Sequence, residues 1–75
     1  MKYMFLNALK LKYEAEIEVA KANVRVYLDN PVGIGEHPDL VAAVDSQLEV
    51  MANAKDKLKI LLDTWGYDTT GTNDG

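Results

Sequence analysis

The chain has 75 residues, no cysteine, a single histidine and a formal charge of −4. That is room for one domain at most, and it excludes disulfides, thiolate metal sites and histidine-rich metal sites. The sequence pI is about 4.7 and the basic residues interleave with acids, so neither nucleic acid nor a bare anionic membrane surface is an expected partner. A domain of this size buries only roughly 60% of its unfolded surface. Extra stability then has to come from partner subunits or from very good helix packing.

The opening "YMFLNALKL" faintly resembles a signal peptide. Asn7 and Lys10 interrupt the apolar run, and no small-residue cleavage site follows. No uncharged stretch approaches the ~18–20 residues needed to cross a bilayer. The expectation is a soluble, cytoplasmic protein.

No glycine or proline occurs between Lys2 and Asp29, or between Asp39 and Trp65. Both windows are rich in Ala, Leu, Glu and Lys, which lose little side-chain freedom in a helix. The composition predicts helices over about residues 2–29 and 38–65, a loop at 30–37 and a flexible polar tail at 67–75. Each helix is on the order of 40 Å long, so the two can pair along their whole extent.

The first window carries two apolar rows. One is Leu6, Leu9, Tyr13, Ile17, Ala20, Val24 and Tyr27; the other is Ala8, Leu11, Ala15, Val19, Ala22 and Val26. At 100° per residue their centres lie roughly 150° apart. Polar residues fill both gaps. A helix with apolar rows on opposite sides is sandwiched between two neighbours. One can be its hairpin mate, and the other is expected from another chain. The second row is rich in alanine, so backbones could approach closely there.

The next stretch, "NPVGIGEHPD", runs from Asn30 to Asp39. As a turn it is accounted for residue by residue. Asn30 tolerates a left-handed helix end, and Pro31 blocks continuation. Gly33 and Gly35 permit a sharp reversal. Val32 and Ile34 can cover the open end of a helix pair. Pro38 suits the first turn of the next helix, and Asp39 sits near its positive end. A phosphate loop at Gly33-Ile34-Gly35 lacks a preceding strand and a following Lys-Ser/Thr, and Glu36 and Asp39 would repel an anion. A metal or ligand site at Glu36, His37 and Asp39, with Asp29, has plausible donors, but Pro38 stiffens the run and there is no second histidine. A general base at His37 lacks a nucleophile and an oxyanion site. The turn reading therefore stands first and ligand or metal binding at 36–39 remains the alternative, with no catalytic, cofactor-binding or metal residue assigned.

In the second window Val41, Val44, Leu48, Met51, Lys55, Leu58, Leu62 and Trp65 are spaced 3-4-3-4-3-4-3. That reads as a heptad seam with one break, at Lys55. A lysine at such a position usually specifies register or snorkels to the edge. Ala43, Val50, Ala54 and Leu61 form a flanking row. Tyr13 and Tyr27 read as edges of the hydrophobic seam, and Trp65 as an end plug or interface anchor. Asp45 and Glu49 read as a solvated face. Gly66 is the expected left-handed cap. The following "YDTTGTNDG" has too little apolar surface to offset its ordering entropy.

"NPVGIGEHPDLVAAVDSQLE", with "ANAKDKL" at Ala52 to Leu58, resembles small proteins encoded by T-even-like tailed phages of marine cyanobacteria, over about residues 10–62. The resemblance implies a viral origin, a marine (metagenomic) source and the host cytoplasm as the place of action. It brings no catalytic or binding residues to carry over.

Taken together, the expected fold is all-α: an antiparallel two-helix hairpin that self-associates into a four-helix bundle, most simply as a homodimer. The expected role is a non-catalytic oligomerisation or protein-interaction module without a cofactor. Its candidate interface comprises Leu11, Ala15, Val19, Ala22, Val26, Leu48, Met51, Leu58, Leu62 and Trp65. The alternative is a small viral regulator that offers the same apolar surface to a larger host or phage protein.

Overall fold

The computed structural model describes residues 2–29 and 38–66. All of these but Gly66 are helical: α1 spans Lys2–Asp29 and α2 spans Pro38–Trp65, 28 residues each. The fold is an all-α hairpin. The helices run antiparallel, since Tyr13 near the start of α1 lies beside Lys57 near the end of α2, and Asn23 meets Gln47 closer to the turn. The readings made for residues 30–37 and for the tail after Gly66 fall outside the described residues. Asp39 lies in the first turn of α2, where its charge complements the helix dipole. At the other end Gly66 takes φ 62°, the left-handed conformation that closes a helix and that glycine adopts without steric cost.

The apolar spacing decides which faces meet. In α1 the side turned to α2 carries Leu6, Tyr13, Ile17, Ala20, Val24 and Tyr27, all buried or half-buried. This is the first of the two rows in that helix except for Leu9, which is 37% exposed. In α2 the residues turned inward are Leu40, Ala43, Val44, Gln47, Met51, Ala54, Leu58, Leu61 and Leu62. The seam of α2 therefore runs between the two rows expected for it. It passes through Gln47 and Ala54, not through Leu48 and Lys55, which are exposed. Val41, at the head of the expected seam, is 76% exposed. The shift has a steric reason. Ala20 and Ala54 are the least exposed residues of the hairpin, so the backbones come close where side chains are smallest. Rolling α2 to bring Leu48 and Lys55 inward would replace Ala54 with longer side chains.

Only Ile17, Ala20, Ala54 and Leu61 are buried among the described residues, and no large side chain is fully enclosed. Two helices in one layer make a seam rather than a three-dimensional core. One polar pair sits in it: the Asn23 amide nitrogen donates to the Gln47 carbonyl oxygen at 3.0 Å. A hydrogen bond at one level of an apolar seam fixes the register of the helices, because sliding by a turn would leave both amides facing apolar neighbours.

Candidate interaction surface

The second row of α1 faces away from α2. Ala8, Leu11, Ala15, Val19, Ala22 and Val26 are all exposed, with Leu11, Val19 and Val26 more than half so. Met4, 69% exposed, extends the row by one turn and was not part of the row as read from the sequence. The spacing from Met4 to Val26 is 4-3-4-4-3-4, an 11-residue repeat that keeps the row on one line along a nearly straight helix. Charged residues border it as ion pairs within α1. Lys10 reaches Glu14 at 2.8 Å, Lys12 pairs with Glu16, and Lys21 reaches Glu18 at 3.2 Å. The hydrogen bond from Lys12 to Glu16, reinforced by the charge of that carboxylate, raises the lysine pKa above its ordinary value. In α2, the same arrangement with Asp63 raises Lys59. These pairs hold the flanking charges along the helix edges, beside the apolar row.

The outer face of α2 is different. Asp45, Glu49, Asp56 and Asp63 are exposed there, with Lys59 paired to Asp63. The hairpin thus presents an apolar back on α1 and an acidic back on α2.

The ten candidate interface residues fall into three places. Leu11, Ala15, Val19, Ala22 and Val26 share the free face of α1. Met51, Leu58 and Leu62 are half-buried on the side of α2 that faces α1. Leu48 and Trp65 are exposed and line two different recesses. Leu48 and Met51 border a shallow recess of about 300 Å³ with Lys21, Val24, Arg25 and Leu28. Trp65, 57% exposed, does not plug the end of the seam. It lines an open apolar recess of about 370 Å³ with Leu6, Leu9, Tyr13, Lys57, Ile60 and Leu61. The Tyr13 ring stands between the Lys12 and Lys57 ammonium groups, each 5.7 Å from its centroid. Tyr13 is half-buried, in agreement with a residue at the border of the seam. Gln47 escaped the sequence reading because a polar side chain at a heptad position looks like an interruption. Its hydrogen-bonding amide partner, Asn23, lay in a gap between the two rows of the first helix.

Among the described residues no group of three or more His, Cys, Asp or Glu side chains is placed to hold a metal ion. Glu36 and His37 lie outside them. No helix among the described residues is long and apolar enough to cross a membrane. Compared with known proteins, the chain matches no family model, no curated protein and no solved structure.

Proposed function

We propose that the protein is a non-catalytic self-association module whose partner is a second copy of itself, joined through the outer row of α1. The observation that carries this is the placement of Leu11, Val19 and Val26, each more than half exposed on a helix whose opposite side already faces α2. The hairpin seam accounts for only one of the two apolar rows. Including Met4 and the three alanines, the free row offers apolar area on the order of 500 Å² per chain, so a twofold pair reaches the ~1,000 Å² expected of a specific interface. The ion pairs along its edges supply the polar rim such an interface needs. A module of this kind brings two copies together and requires no cofactor.

The test is solution mass by light scattering over a range of concentrations, with circular dichroism on the same samples. Wild type is expected as a helical dimer. Val19→Asp is expected as a monomer of unchanged helix content, because the residue is 58% exposed in the single hairpin and belongs to the outer row of α1. A wild-type monomer at every concentration would overturn the proposal.

A further inference from the structure

The outer row of α1 also carries information about how two copies meet. Resting on the self-association reading above, we infer that the α1 helices of two copies pair antiparallel about a twofold axis at Ala15. The dimer is then a flat row of four helices, with the two α1 helices in the middle.

The row reads the same in both directions. With the axis at Ala15, Ala8 of one copy faces Ala22 of the other, Leu11 faces Val19, and Met4 faces Val26. Small residues meet small ones and larger ones meet larger ones. The three alanines, seven residues apart, form the centre line. Alanine against alanine lets helix axes approach toward the lower end of the roughly 8–10 Å range. Leu11 and Val19 then close over the centre from its two sides. At one edge Lys12 comes opposite Glu16 of the second copy and extends the existing pair into a four-charge cluster.

A symmetric row would also permit parallel pairing, and the charges decide between the two. The sequence on the chain-end side, residues 1–16 and 52–75, has six basic and six acidic residues, a balance of 0. The sequence on the turn side, residues 17–51, has two basic and six acidic residues, a balance of −4. Antiparallel pairing sets the neutral half of each copy beside the acidic half of the other and keeps the two acidic halves apart. Parallel pairing sets like beside like. The helix dipoles of neighbouring α1 helices add the same preference.

The flat row follows from where the row sits. A closed four-helix bundle needs each helix to contact two neighbours at faces about a right angle apart. In α1 the free row lies on the side away from α2. The flanks that a square bundle would bury carry the Lys10–Glu14, Lys12–Glu16 and Lys21–Glu18 pairs instead. The acidic backs of the two α2 helices end up at the far edges, as distant from each other as the assembly allows.

The chain has no cysteine, so single cysteines report the arrangement directly. The experiment compares disulfide formation, under mild oxidation, in Ala15→Cys, Ala8→Cys and Ala22→Cys, and in a mixture of the last two carrying different mass labels. Asp45→Cys, on the outer face of α2, gives the collision background. Expected are self-linking of Ala15→Cys and linking between Ala8→Cys and Ala22→Cys in the mixture, each at least tenfold faster than background. Ala8→Cys and Ala22→Cys should not self-link when separate. Self-linking of those two, with none between them, would mean parallel pairing and overturn the inference. A dimer by light scattering in which no α1 cysteine links would overturn the inference and place self-association on another face. A monomer by light scattering would instead remove the underlying reading.

Discussion

Replacing Ile17 with alanine tests which rows form the hairpin seam, and Val41→Ala is its control. Ile17 is 7% exposed and sits mid-seam; Val41, part of the regular 3-4 spacing of α2, is 76% exposed. Ile17→Ala removes three buried carbons, worth about 2.4 kcal/mol at ~0.8 kcal/mol each. A cavity penalty adds to this, and buried Ile→Ala changes span about 2–5 kcal/mol. The seam is one layer thick with solvent on both sides, so its neighbours can relax, and the cost belongs in the lower half, about 2.5–3.5 kcal/mol. Two helices of this length have a total stability of about 3–8 kcal/mol. The substitution therefore removes a third or more of it and lowers Tm by at least about 10 °C. Val41→Ala loses almost no burial, and alanine's better helix propensity offsets the rest, so its Tm should move by no more than a few degrees. The assay is thermal unfolding followed by circular dichroism, at one protein concentration because association raises Tm with concentration. Equal losses for the two variants, or a larger loss for Val41→Ala, would refute the placement of the seam.

Ala54→Leu should cost about 1–3 kcal/mol by overpacking the closest approach of the helices, whereas Lys55→Leu next to it should leave monomer stability nearly unchanged; urea midpoints separate the two. A double-mutant cycle on Asn23→Ala and Gln47→Ala should give a coupling of about 0.5–1.5 kcal/mol, and a coupling near zero would remove the register role of that hydrogen bond. Gly66→Ala should cost about 1 kcal/mol or slightly more through its left-handed backbone alone, since a Cβ there meets nothing within 4 Å, and helix content near Trp65 should fall. Lys12 and Lys59 have pKa values raised above 10.5 in the folded chain, so the stability they supply is complete below that pH and is lost as pH rises through the higher folded value. Melting temperature should accordingly be flat from neutral pH to about 10 on this account, then fall, and high salt should shrink the step because both pairs are exposed.

The sequence alone determined the two helices. Their interiors hold no glycine or proline, Asp39 and Gly66 mark the ends of the second, and the 3-4 spacing of apolar residues admits no other regular structure. It also determined that α1 has apolar rows on two sides, because seven residues in one row and six in the other, at helical spacing, fix their angular positions whatever the neighbours are. Which row faces the hairpin mate was not written in the spacing, since both rows have the period of a seam. The tertiary structure chose the row of Tyr13, Ile17 and Val24, and turned the alanine-rich one outward. In α2 the apolar band is wide enough for several seams, each differing by a small roll of the helix. Periodicity favours Leu48 and Lys55. Steric fit between two close backbones favours Ala54, and the amide of Gln47 finds a partner in Asn23 only in that roll. Packing of one helix surface against another decides such choices, and a single helix's pattern does not contain the shape of the surface it will meet.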